Sequence, residues 1–179
     1  MSKRKWHAAA AVGIVVMLAG CQSAGVEADI TLDDAEMTTT SQVDATIARI
    51  DPALIERIDK VTNESSGCRG EDVDPEQRVR QWENRRFVVF VESVQPAGGL
   101  EILDELVTAQ VGDGWYLSRD RPERDGTVRR VQLFSPVVAG NESDGIYGIN
   151  IAGGGDAAGP ISLNISGVSP CFEVPEGES

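Results

Sequence analysis

The sequence predicts an α+β domain: a two-layer sandwich in which an antiparallel sheet of about four or five strands carries two or three helices on one face. Three observations predict it. Apolar residues recur at three- and four-residue steps in two segments, Val43 to Val61 and Leu100 to Val111. Phe87-Val88-Val89-Phe90-Val91 is an unbroken aromatic and β-branched run. From Gly114 onward, short apolar runs alternate with turn signals, which is the pattern of a meander. Packing helices on one side of such a sheet buries both kinds of apolar surface at once.

The chain opens with three regions. Lys3, Arg4 and Lys5 form a basic head, Ala8 to Leu18 an apolar core, and Ala19-Gly20 a small-residue exit before Cys21. These are the regions of a secretory signal. The apolar run falls short of the roughly 20 residues that a transmembrane helix needs. Leu18-Ala19-Gly20-Cys21 resembles the lipobox of bacterial lipoproteins. That resemblance implies diacylglycerol on the Cys21 thiol, cleavage between Gly20 and Cys21, and attachment to the outer face of the cell membrane. Two acyl chains hold a protein on a bilayer stably, whereas one holds it marginally. An ordinary cleaved signal followed by an unrelated cysteine is the other reading.

Residues 21–40 read as an acidic flexible tether: Glu27, Asp29, Asp33, Asp34 and Glu36 occur with no basic residue among them. Residues 41–62 read as helix, with Val43, Ile47, Ile50, Leu54, Ile58 and Val61 on one face. Asp51-Pro52 inside it is a cap followed by a first-turn proline, so the helix kinks there or two helices meet. Residues 63–77 form a polar loop around Cys68. Asp74-Pro75-Glu76-Gln77 then has the form of a helix start, although Arg78 to Arg86 serves equally as an extension of the following strand. Phe87–Val91 is a strand covered on both faces. Leu100, Leu103, Leu106, Val107 and Val111 mark a second helix that Gly112 stops.

The remaining strands are expected at Trp115-Tyr116-Leu117, Thr127–Phe134, Ile146–Ile151 and Ile161–Ser166. In the last, Ile161, Leu163 and Ile165 alternate with Ser162, Asn164 and Ser166, so one side is buried and the other is not. Residues 1–20 are thus a lipoprotein signal, 21–40 a tether, 41–172 one domain and 173–179 a disordered acidic tail.

Charge and composition exclude whole classes of function. Lys and Arg number 16 and Asp and Glu 29, for a net charge of −13. Removal of residues 1–20 leaves 13 basic residues against 29 acidic ones, a formal charge of −16. Such a surface excludes nucleic acid as a partner and disfavours contact with anionic lipid, so the membrane is reached through Cys21 alone. The one histidine, His7, lies inside the signal. A mature chain without histidine has no Ser-His-Asp or Cys-His mechanism and no ordinary zinc site. No cofactor is expected and no catalytic residue is assigned. Cys68 and Cys171 form an even pair in an oxidising compartment and are expected to be bonded, two separate buried thiols being the alternative.

Four sets of residues are candidates for function. Ten of the 13 basic residues outside the signal lie between Arg69 and Arg130. Of these, Arg85, Arg86, Arg129 and Arg130, with Arg119, Arg121 and Arg124, are candidates for an anion-binding sheet surface. Guanidinium forks suit carboxylates and phosphates, and a wall polymer carrying phosphate is one such ligand. Pairing with surplus surface acids is the competing account. Glu101, Asp104 and Glu105 supply the carboxylates that a glycosidase needs. Asn141-Glu142-Ser143-Asp144 and Gly153-Gly154-Gly155-Asp156 offer oxygen ligands for calcium, but neither has the spacing of a calcium loop. Trp82, Trp115, Tyr116 and Tyr147 are candidates for an aromatic recognition patch.

With the lipobox, Cys68, Gly114-Trp115 and Ser169-Pro170-Cys171, the chain resembles the many small lipoproteins of actinobacteria, a group that lends no activity to particular residues. The expected protein is a membrane-anchored extracytoplasmic lipoprotein without enzymatic activity that binds a protein or a cell-envelope component. A carboxylate-dependent cell-wall hydrolase is the alternative. A two-lobed solute-binding subunit is disfavoured by size.

Overall fold

Alternating apolar and polar residues build an antiparallel sheet, and two helices cover one of its faces. The computed structural model describes residues 30–123, 127–136, 146–154 and 160–175. The elements are helix α1 (Leu32–Ile47), a 3-10 turn (Pro52–Leu54), strands β1 (Ile55–Gly67) and β2 (Val79–Phe90), helix α2 (Pro96–Gly112), and strands β3 (Tyr116–Pro122), β4 (Val128–Phe134), β5 (Gly148–Gly154), β6 (Ser162–Val168) and β7 (Phe172–Glu173). The sheet runs β1-β2-β6-β5-β4-β3, and β7 pairs with β2 beyond the end of β6. The architecture is the expected α+β one, but among the described residues there are two helices and a sheet of seven strands rather than four or five. Strands β3 to β6 form the expected four-strand meander.

Two differences account for the extra strands. The first concerns residues 31–67. The helix starts at Leu32, so residues 32–40 are not tether. Thr31 Oγ1 accepts the Asp34 N–H at 3.1 Å, and the Thr31 N–H donates to Asp34 Oδ2 at 3.4 Å, closing a capping box. The buried stripe of α1 is Ala35, Thr39, Val43, Thr46 and Ile47. Its two threonines read as polar in sequence. In the helix they donate back to Ala35 O at 2.7 Å and Gln42 O at 2.8 Å, which satisfies the hydroxyls where water is absent.

The helix then stops earlier than expected. Asp51 Oδ1 accepts the Ala53 N–H at 2.9 Å and turns the chain through Pro52 into β1. Ile58 and Val61 are 46 % and 52 % exposed, so they belong to no buried helix face. Strand β1 forms the sheet edge. Register shifts at Ile55/Arg57 and Lys60/Thr62, together with exposed Glu56, Arg57, Asp59 and Lys60, protect it from pairing with other chains.

The second difference concerns residues 74–79 and 172–174. Asp74 starts no helix. Its Oδ2 accepts the Val79 N–H at 2.8 Å, and Gln77 adopts a left-handed φ of 48°, so the chain turns directly into β2. The backbone N–H of Val79 is the main cause that lowers the Asp74 pKa, while burial raises it and Arg78 and Arg69 lower it further. At the other end, Phe172 and Val174 are buried with Ile30 and Ala35, so the chain stays packed through residue 174, beyond the expected start of the tail. Residues 176–179 lie outside the described residues.

Cys68 and Cys171 form a disulfide with Cα atoms 6.1 Å apart, closing 103 residues of chain. It joins the loop after β1 to the break between β6 and β7. There Ser169 exchanges hydrogen bonds with Trp82 at 2.8 and 3.0 Å, and Pro170 interrupts the ladder. The main core lies between helices and sheet: Val43 and Ile47 of α1, Leu103 and Leu106 of α2, and Val88, Val131, Leu133, Ile149, Ile151, Leu163 and Ile165 of the strands.

Candidate anion-binding face

The same alternation that buries one side of the sheet fills the other with polar groups. In β6, Leu163 and Ile165 point to the helices, and Asn164 and Ser166 point away. In β5, Ile149 and Ile151 point inward, and Asn150 and Ala152 outward. In β4, Val131 and Leu133 point inward, and Arg130 and Gln132 outward. The ladder register then aligns the outward residues in rows across the sheet. One row runs Arg85, Ser166, Asn150, Gln132, Arg119 from β2 to β3. The next runs Asn164, Ala152, Arg130, Arg121 from β6 to β3.

These rows line a cavity of about 450 Å³ on the face opposite the helices. Four arginines reach it: Arg85 from β2, Arg130 from β4, and Arg119 and Arg121 from β3. Two of them are paired. Arg85 donates to Glu83 Oε1 through Nη2 at 2.6 Å and Nε at 3.1 Å. Arg130 donates to Glu123 Oε1 at 3.0 and 3.2 Å. Among the described residues, Arg119 and Arg121 have neither an ion-pair nor a hydrogen-bond partner for their side chains. Arg121 also stands directly opposite Arg130 in the β3–β4 ladder. Like charges in that position repel, so the site carries a local positive excess on an acidic chain.

Of the seven arginines expected to share one sheet surface, four line this cavity. Arg85 and Arg130 line the cavity; Arg86 and Arg129 point to the opposite side. Neighbours on a strand cannot share a face, so each Arg-Arg dipeptide was bound to divide. Arg119 and Arg121, two residues apart on β3, both reach the cavity. Arg129 is held by Asp120, whose Oδ1 and Oδ2 accept from Nε and Nη2 at 2.8 Å each, and by Asp104 of α2. The Asp120 hydrogen bonds raise the Arg129 pKa, and the same contact lowers that of Asp120 against the opposing effect of burial. Arg129 therefore joins helix to sheet and is not available to a ligand. Arg124 lies outside the described residues.

The other candidates do not converge. Glu101, Asp104 and Glu105 are exposed on α2, on the far side of the sheet from the cavity, and Asp104 is paired with Arg129. Trp82 packs against the Phe172 cluster, Trp115 against the main core, and Tyr147 is buried, leaving Tyr116 exposed by itself. These four residues therefore form no common patch. Asn141–Asp144, Gly155 and Asp156 lie outside the described residues, as do Cys21 and the signal region. Among the described residues, no group of three or more His, Cys, Asp or Glu is placed to hold a metal ion, and no helix is long and apolar enough to cross a membrane. No family model matches the chain, and neither the curated proteins nor the solved structures contain a significant match to it.

Proposed function

We propose that the protein is an extracytoplasmic lipoprotein, anchored to the cell membrane through Cys21, that acts by binding rather than catalysis and holds a cell-envelope component on the open face of its sheet. One observation carries the binding half of this reading: four arginines and a row of neutral amides meet on a single face of the sheet, and among the described residues that face is uncovered and two of the arginines lack partners. An acidic domain gains little from clustered arginines unless an anion answers them. The anchoring half rests on the lipobox resemblance. The disulfide supports an oxidising compartment, in keeping with an extracytoplasmic location.

The carboxylates proposed for hydrolysis stand on the helix side, and among the described residues one carboxylate, Glu83, lines the cavity and is already paired with Arg85. Glycoside hydrolysis needs two facing carboxyls. This favours a binding protein over a hydrolase.

Two measurements test the reading. Cells fed labelled fatty acid should label the wild-type protein and not Cys21→Ala; equal labelling would refute the anchor. Purified wild-type protein should capture material from isolated envelopes, and the Arg119→Ala/Arg121→Ala variant should lose that capture. Equal capture by the two proteins would remove the open face from the function.

A further inference from the structure

Resting on the reading that the open face binds an envelope component, we infer that its ligand is a phosphorylated, hydroxyl-rich unit of an envelope polymer. The phosphate lies at the β3–β4 end of the cavity, and the hydroxyls lie across β5 and β6.

The charge is concentrated at one end. Arg119, Arg121 and Arg130 stand on adjacent strands β3 and β4, and among the described residues Glu123 alone pairs with one of them. Among the described residues, the guanidinium groups of Arg119 and Arg121 remain uncompensated. A carboxylate saturates one fork, whereas a tetrahedral phosphate offers oxygens to two. Phosphate also relieves the repulsion between Arg121 and Arg130 by lying between them.

The rest of the cavity is neutral. Asn150 and Asn164 supply amides that both donate and accept, and Ser166 supplies a hydroxyl. Such groups complement sugar or polyol hydroxyls, which also donate and accept. From Asn164 on β6 to Arg121 on β3 is three strand steps, about 14 Å. A cavity of about 450 Å³ lies within the range of about 300–1,000 Å³ typical of small-ligand sites. Length and volume fit a phosphate joined to one or two sugar or polyol units.

The source is a polymer rather than a lipid headgroup. The cavity lining is polar apart from Ala152 and from Val131 and Ile151, whose side chains belong to the core on the other face, so it offers acyl chains little apolar surface, whereas a hydrated polymer needs none.

The test uses the full-length lipidated protein in nonionic detergent, titrated calorimetrically with a glycerol-phosphate oligomer. Saturable binding that weakens with salt is expected. Arg119→Ala/Arg121→Ala should weaken it at least about tenfold, the equivalent of about 1.4 kcal/mol. Asn150→Ala/Asn164→Ala should bring the oligomer's affinity down towards that of inorganic phosphate. Arg49→Ala, which alters an exposed arginine paired with Asp113 on the helix side, should change nothing. Thermal melting checks that each variant is folded. No saturable binding, or binding indifferent to the arginine pair, would overturn the proposal. Preference for a galacturonate oligomer would replace phosphate by carboxylate, and binding only to phosphatidylinositol vesicles would replace polymer by lipid; either result overturns this proposal. If envelope capture persists in wild type and is lost in the arginine variant, the broader reading survives such a result. Loss of capture by the wild type overturns both.

Discussion

The side-chain amide of Gln110 donates to the hydroxyl of Thr46 at 2.8 Å, joining α2 to α1 at a point where both residues are buried. The Thr46 hydroxyl in turn donates to Gln42 O, so the contact is a short hydrogen-bond chain that ends on the α1 backbone. Replacing Thr46 by Val keeps the shape and strands the amide. An unsatisfied buried polar group costs about 1–3 kcal/mol. Thr46→Val should therefore lower the urea midpoint without changing the slope. Thr46→Val/Gln110→Leu should recover part of the loss, because both polar partners are then gone. Additive losses in the double variant would show that the two residues are not coupled.

Gly167 of β6 lies directly beneath α1. A Cβ placed there meets Thr39 O at 2.9 Å and Val43 Cγ2 at 3.0 Å. The nearer atom is backbone, so the helix itself must move. Overpacking of this kind costs about 1–3 kcal/mol. Gly167→Ala should lower stability by that amount in chemical denaturation, and a neutral effect would mean that α1 is loosely seated.

What was legible in the sequence and what was not follow from the same chemistry. The alternation of Ile161 to Ser166 gave β6 and its two faces directly, because each residue type matches its side of the sheet. The run Leu100 to Val111 gave α2. Residues 32–40 do not read as helix because the buried stripe of α1 uses Thr39 and Thr46, whose hydroxyls are satisfied only by bonding the preceding turn. Residues 55–62 of β1 read as helix because Ile58 and Val61 continue the helical spacing by coincidence on an exposed edge, and residues 63–67 read as loop because Thr62-Asn63-Glu64-Ser65-Ser66 lack apolar alternation, yet both belong to the strand. For the site, arginine enrichment was visible, but its division between faces depended on register. Strand parity separates Arg85 from Arg86 and Arg129 from Arg130; only the ladder brings Arg119 and Arg121 to β2's arginine.

The disulfide closes a span of 103 residues. Cross-linking a loop of that size restricts the unfolded chain, and the chain-entropy account gives about 3–5 kcal/mol. Cys68→Ser/Cys171→Ser should lose that much stability. Reductant should shift the wild-type denaturation midpoint to match the variant and leave the variant unmoved. A reductant-insensitive wild type would mean that the bond adds nothing to folding.

Asp120 titrates at lower pH in the folded protein than in the unfolded chain, because Arg129 donates two hydrogen bonds to its carboxylate. A depressed carboxylate pKa gives stability that is complete above the unfolded value, near pH 4, and is lost as the pH falls through the folded one. Thermal stability of the wild type should therefore decline below about pH 5. Asp120→Asn should be less stable at pH 7 and should decline less steeply on acidification. Asp74, also depressed, keeps a remaining slope. Identical acid limbs in the two proteins would show that the Asp120–Arg129 contact is absent in solution.

Arg121 opposite Arg130 sets binding against stability. Directly opposed like charges on a two-strand ladder destabilise it, and cross-strand pair terms run to about 0.2–1 kcal/mol. Thr fits a strand position well and carries no charge. Arg121→Thr should raise the melting temperature slightly at low salt, and the gain should shrink as salt screens the wild-type repulsion. The same substitution should weaken capture of envelope material. A residue kept for folding would show loss of stability instead. Arg121→Glu sharpens the distinction, since it gains attraction to Arg130 while reversing the charge offered to an anion. It should be the most stable of the three and the poorest binder, and any variant that gains stability without losing capture would separate Arg121 from the ligand.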